Sequence, residues 1–196
     1  MAITRLGPNQ SVNLASNVTG TLPIANGGTN LTSGFVNGGG LTMSDQWRIT
    51  ANKSVSSSAS DITANWERID STGQGTLGTG MTESSGVFSF PSTGIYYVGC
   101  NVAFYLTTAD TRYIETQIRV TTDNSSYNYI SRLNTFIKHV SSATYSNTSQ
   151  ATLVDVTDIS NVKVMFRVTS DNATTIAGNT GHNEGNMFTF MRLGNT

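Results

Sequence analysis

The chain has 196 residues, room for one ordinary domain with an appendage and too little for two full-sized domains. Only 12% of it is Asp, Glu, Lys or Arg, and 11 cations stand against 12 anions. With no Lys/Arg cluster to displace counterions, a phosphate-tracking surface is excluded and no nucleic-acid partner is expected. The start "MAITRLGPNQSVNL" lacks the apolar run of a signal peptide, and no later run reaches the length of a membrane span. The expectation is a soluble protein made in the cytoplasm, with no membrane partner. One cysteine, Cys100, excludes an internal disulfide and reads as a small buried hydrophobe.

The first 45 residues are Gly- and Asn-rich with isolated apolar positions and no sustained period. Their central stretch, "NVTGTLPIANGGTN" at residues 17–30, carries no charge and no aromatic side chain, and Pro23 excludes a helix interior. It reads as an extended arm that finds its contacts elsewhere, with Leu22, Pro23 and Ile24 as apolar anchors. Both tryptophans, Trp47 and Trp66, and nearly all other aromatics follow, which places an arm at residues 1–45 and a globular head at 46–196.

In the head the repeating pattern is alternation at period two, in short runs separated by Gly, Asn, Asp and Ser. After "QWRITAN" and "NWERID" come "GVFSFP", "GIYYVGCNVAFY", "YIETQIRVTT", "YNYISRL", "TFIKHV", "QATLVDV", "NVKVMFRVTS" and "NMFTFMRLG". In "YIETQIRVTT", Ile114, Thr116, Ile118 and Val120 share one face, and Tyr113, Glu115, Gln117 and Arg119 the other. The pattern predicts an all-β antiparallel sandwich.

Two strands depart from half-burial. In "IYYVGCNVAFY", Tyr96, Val98, Cys100, Val102 and Phe104 form one apolar face, while Ile95, Tyr97, Ala103 and Tyr105 make the other apolar as well. In "NMFTFMRL", Phe188 and Phe190 oppose Met187, Met191 and Leu193. A sandwich has one inner face, so such strands are covered twice, either by a long loop or by another copy of the chain. Two of them together favour a homo-oligomer of cyclic symmetry. Tyr97, Tyr105, Phe188 and Phe190 are the expected interface residues.

The segment "MTESSGVFSFPSTGIYYVGCNVAF" resembles the central signature of the complement globular-head and tumour-necrosis-factor superfamily, on Phe88, Phe90, Pro91, Gly94, Ile95, Tyr96 and Tyr97. The likeness spans about residues 46–196 and is weakest between 106 and 180. It implies a ten-strand jelly roll assembled as a homotrimer, with a calcium site near the axis in some members. The arm departs from the complement pattern, since it has no Gly-X-Y period. "VTGTLPIANGGTN" instead resembles a segment recurring in bacteriophage tail-fibre and virion-appendage proteins.

Enzyme chemistry finds little footing. "GQGTLG" at residues 73–78 matches G-x-G-x-x-G, but the glycines and the Pro that follow deny it the helix a dinucleotide needs, and no cofactor is expected. His139 and His182 stand apart without metal-ligand spacing; His182 with Glu184 reads as a loop pair, and Asp155, Asp158 and Asp171 lack the spacing of a calcium loop. No nucleophile and base are juxtaposed. Tyr127, Tyr129 and Tyr145, in Asn/Ser-rich stretches, suit recognition of a receptor glycan or protein by stacking and hydrogen bonds. The expected function is a phage virion protein, a trimeric fibre or appendage whose arm docks other virion proteins and whose head attaches to the host surface. The alternative is a capsid or tail decoration or adaptor with no receptor role, and a freestanding ligand-binding head is disfavoured.

Overall fold

The computed structural model describes residues 40–55, 58–172, 174–176 and 185–196, of which 174–176 by backbone only. Leu22, Pro23, Ile24, His182 and Glu184 lie outside them. The described strands open with β1 (Met43–Ile49), β2 (Lys53–Val55), β3 (Ser60–Asp61), β4 (Trp66–Arg68), β5 (Thr82–Ser84) and β6 (Val87–Ser89). The longer strands follow: β7 (Gly94–Leu106), β8 (Thr111–Thr121), β9 (Asn128–Ile137), β10 (Thr144–Val156), β11 (Lys163–Ser170), β12 (Thr174–Ile176) and β13 (Asn186–Gly194). β1 begins at Met43, ahead of the boundary at residue 46 that composition suggests, and the compact unit runs Leu41–Thr196.

Every pairing is antiparallel, in two sheets. Sheet A holds seven strands, with β7 flanked by β10 on one side and by β13 and β12 on the other, and β1 and β4 beyond β13. Sheet B holds six, in the order β5-β6-β11-β8-β9 with β3 also on β11. The alternation read in the sequence becomes the two faces of each strand. Ile114, Thr116 and Ile118 of β8 point inward at 0% exposure, and β7 buries Tyr96, Val98, Cys100, Val102 and Phe104. Burial pushes the Cys100 thiol up to about 12.

Trp66, Phe88, Phe166 and Phe188 pack edge to face at the centre, with Trp66 4.5 Å from Phe188 and 4.8 Å from Phe88. Phe88 and Phe190 approach at 5.1 Å. Such pairs add about 0.5–1.5 kcal/mol each beyond the area they bury. Phe188 and Phe190, expected at a subunit interface, therefore belong to the interior of the single chain. The register decides this: Phe188 lies opposite Cys100 and Phe190 opposite Val98, in the inward row of β7.

The β5–β6 hairpin turns on Ser85 and Gly86, both at positive φ, as a two-residue turn with right-handed strand twist demands. Gly86 also lies against the Ile62 carbonyl, where a Cβ would collide with backbone. The loop at residues 73–78 is held to the start of β1 by paired backbone bonds between Ser44 and Leu77 (3.1 and 2.8 Å). It precedes no described helix.

The strongest polar anchor is Asp45, fully buried on the inward row of β1 between Met43 and Trp47. Its Oδ2 accepts from the Met81 amide (2.7 Å) and Trp47 Nε1 (2.9 Å), and its Oδ1 from Arg68 Nε (3.0 Å) and Thr76 Oγ1 (3.3 Å). The Arg68 guanidinium lies 4.8 Å from the Trp47 ring centroid. Asp45 thus staples the 71–80 loop to the sandwich, the compensation a buried carboxylate requires.

Candidate subunit and ligand surfaces

The outward face of sheet A is built from the residues that β7, β10 and β13 do not turn inward. Register places Leu153, Tyr97 and Met191 side by side in one cross-strand row. Successive rows carry Ala151, Gly99 and Thr189, then Ser149, Asn101 and Met187. The Tyr97 ring folds over Gly99, where an added Cβ would stand 2.9 Å from it, so the ring lies flat on the sheet. Leu153 is 60% exposed, Leu193 49%, and Ile95, Tyr97, Met187 and Met191 are half-buried. Along these three strands the single charged outward side chain is Asp155, at the end of β10. Arg48 of β1, further out, is neutralised by Glu67 at 2.6 Å.

Tyr105 and Tyr145 belong to this same face. They are a direct cross-strand pair, ring centroids 5.7 Å apart, and Asn52 Nδ2 donates to the Tyr105 hydroxyl at 3.2 Å. Sequence reading gave Tyr105 to a subunit interface and Tyr145 to a receptor; the fold brings both into one surface, 40 residues apart in the chain.

Tyr127 and Tyr129 lie on the other side of the molecule, on the outward face of sheet B. Tyr129 is 56% exposed, with the Arg132 guanidinium 5.2 Å from its ring centroid. Tyr127 is half-buried, its phenol pushed upward by that burial, and its carbonyl accepts from Arg119 Nη2. The preceding loop is ordered by Asp123, which accepts from the Ser126 amide (2.7 Å), the Ser125 amide (2.9 Å) and the Thr121 hydroxyl (2.7 Å). These bonds, the Ser126 amide first, hold its carboxyl down to about 2.

This face is charged and internally paired. Asp61 accepts from Arg167 Nε (2.6 Å) and Nη2 (2.9 Å), and Arg119 Nη1 approaches it at 3.6 Å. The Arg167 hydrogen bonds, with the charge of Arg119 beside them, hold the Asp61 carboxyl below its ordinary value. Arg132 and Glu115 approach at 3.5 Å, and Gln117 donates to Glu115. Arg119 Nε is buried without a hydrogen-bond partner.

Between the two sheets, at the open side where β9 and β10 run together, the interior turns polar. Thr116 and Thr148 share a buried hydroxyl bond of 2.7 Å, Gln150 Nε2 donates to the Thr116 carbonyl (2.8 Å), and Ser131 donates to Gln150 Oε1 (2.8 Å). Thr135 and Ser146 continue the series at 2.5 Å. Among the described strands β9 pairs with β8 alone and β10 with β7 alone, so both are sheet edges, and they expose Leu133, Phe136 and Tyr145. Long exposed edges are what proteins normally cover or blunt.

Of the carboxylates read as candidate metal ligands, Asp171 pairs with Arg112 at 2.7 Å, Asp158 closes the β10–β11 turn through Ser160 and Asn161, and Asp155 stands alone on sheet A. His139 bonds the Thr107 carbonyl through Nε2 at 2.8 Å, tying two loops. Among the described residues no group of three His, Cys, Asp or Glu side chains is placed to hold a metal ion.

No family model matches the chain, and no curated protein matches it by sequence. Solved structures do match. Crystal structures of murine APRIL at pH 8.5, pH 8.0 and pH 5.0 each superpose with a TM-score of 0.55, covering 77% of this chain and 98% of theirs. Identity is 14% for the first and 13% for the others, which speaks to fold alone. With its two antiparallel sheets, the chain folds as a jelly roll of the tumour-necrosis-factor type.

Proposed function

We propose that the chain is a subunit of a homotrimeric virion appendage, with the jelly roll as an attachment head and residues 1–45 as the segment that docks the particle. The observation that carries the oligomer is the outward face of sheet A. Its Leu153–Tyr97–Met191 row and its tyrosine pair are an apolar, nearly uncharged surface of a kind that soluble monomers rarely leave open. A second exposed apolar position, Leu133 at the β9/β10 edge, faces elsewhere, and two different patches on one chain suit a head-to-tail contact that closes into a ring. Tyr97 and Tyr105 then serve the interface, and Tyr145, beside Tyr105, moves from receptor binding to that interface.

The virion setting rests on the arm, whose "GTLPIANGGTN" is similar to a segment of phage tail-fibre proteins. Three heads per appendage and many appendages per particle turn weak single-site contacts into strong attachment. The test uses fluorescently labelled full-length protein titrated onto host cells, beside adsorption of virions that lack it. Saturable cell binding and impaired adsorption are the expected results. Absent binding with normal adsorption replaces attachment by decoration of the particle, and normal virion incorporation without residues 1–45 removes the docking role of the arm.

A further inference from the structure

We propose that the outward face of sheet B along β9 binds an acidic polysaccharide, with Arg132 taking a carboxylate and Tyr129 and Phe136 receiving sugar rings. The proposal rests on the attachment reading for its biological setting, but its chemistry stands on β9 itself. Tyr129, Arg132, Asn134 and Phe136 face outward along one strand, aromatic at both ends with a cation and an amide between. At about 3.4 Å per residue the two rings lie roughly 20 Å apart, the span of an extended oligosaccharide rather than a single sugar. Tyr129 is 56% exposed and Phe136 65%, high values for aromatic side chains on a strand.

Arg132 is free to act. Its side chain is 50% exposed, its one ion pair is the 3.5 Å approach of Nε to Glu115, and no hydrogen bond among the described residues engages its Nη donors. A guanidinium presents those donors as a planar fork matched to carboxylate, while its flat face already lies toward the Tyr129 ring. The surrounding field favours an anion. Apart from Arg112, paired with Asp171 at the end of β8, four cations of β8, β9 and β11 (Arg119, Arg132, Lys163, Arg167) face outward against two carboxylates, Asp61 and Glu115, on a chain whose net charge is −1. Four dispersed cations are too few to track a phosphate backbone, and the aromatic ends suit pyranose faces. Sheet A offers no equivalent: β7, β10 and β13 turn no cation outward, and Arg48 of β1 is paired with Glu67.

The test is a binding titration of full-length protein against polygalacturonate, neutral dextran and dextran sulfate, at low and physiological ionic strength. Expected are saturable binding of polygalacturonate, no binding of dextran, about tenfold weaker binding for Arg132→Ala, consistent with loss of a charge-assisted pair, and partial recovery in Arg132→Lys. Tyr129→Ala and Phe136→Ala each weaken binding severalfold, while thermal unfolding stays as in wild type. Equal binding of dextran, an unchanged Arg132→Ala, or a preference for dextran sulfate insensitive to Tyr129→Ala and Phe136→Ala would overturn the proposal. Cell binding separates the two readings. Wild-type and Arg132→Ala protein binding host cells alike sinks this site and leaves attachment standing; polygalacturonate binding without cell binding does the reverse.

Discussion

The two outward faces of the sandwich follow the same alternation and end in opposite chemistry. On sheet A, strands β7, β10 and β13 put Leu153, Tyr97, Met191 and Tyr105 outside, with Asp155 as their single charge. On sheet B, β8, β9 and β11 put Arg119, Arg132, Arg167, Glu115 and Gln117 outside, knitted into ion pairs and hydrogen bonds. Sheet B's face is finished within one chain: most of its charges are paired there, and the remainder, Arg132 foremost, meets water. Sheet A's face is unfinished: it has little polar content to hydrate and much apolar area to remove from water. On that difference rest the two proposals, self-association for one face and a soluble ligand for the other.

The largest expected effect breaks sheet A. Tyr97→Glu places a charge in the middle of the apolar row, and burial of an unpaired carboxylate in an interface costs several kcal/mol, enough to dissociate a trimer at micromolar concentration. Sedimentation velocity should show monomer with an unchanged circular dichroism spectrum. The matched change on sheet B, Gln117→Ala, should leave the oligomer intact.

Next in size is the Asp61–Arg167 pair. Arg167→Ala should cost about 1–2 kcal/mol in urea unfolding at neutral pH, the discounted value of a bidentate pair at a partly exposed site. The sign with pH follows from the lowered pKa of Asp61. Its contribution is complete above the ordinary carboxylate value of 3.8 and fades as pH falls through the lower folded-state value. Wild type and Arg167→Ala should therefore converge in stability under acid, and a gap that widens there would contradict the assignment.

Smaller still is Thr148→Val in the polar seam. It removes the hydroxyl shared with Thr116 and should cost about 1 kcal/mol, read as a lowered urea midpoint with unchanged slope. The smallest stability effect belongs to Arg132→Ala, within about 0.5 kcal/mol, because its one ion pair is long and half-exposed. Its consequence should be confined to polysaccharide binding.

How much of this was legible in the sequence depended on whether the answer was local. Strand alternation is local, so the inward row of β8 and the doubly apolar β7 could be read directly. Which face of β13 enters the core was not local, because both its faces are apolar and the decision lies in the register against Cys100 and Val98. A hint was present in bulk: Phe188 and Phe190 outweigh Met187 and Met191, and the larger row gains more from burial. β9 was read as two runs, since Asn134 resembles a breaker, whereas pairing with Glu115 carries the strand through it. The Tyr105–Tyr145 pair required the β7–β10 register. Asp45 was readable and missed: Met43, Asp45, Trp47 and Ile49 recur at period two, and a lone carboxylate in an apolar row announces a buried anchor.

The central claim is that the outward face of sheet A is a subunit interface, and sedimentation equilibrium of the full-length protein tests it most directly. The account predicts a single species of three chains at micromolar concentration, converted to one chain by Tyr97→Glu. A monomeric wild type, with Tyr97→Glu sedimenting identically, would contradict it.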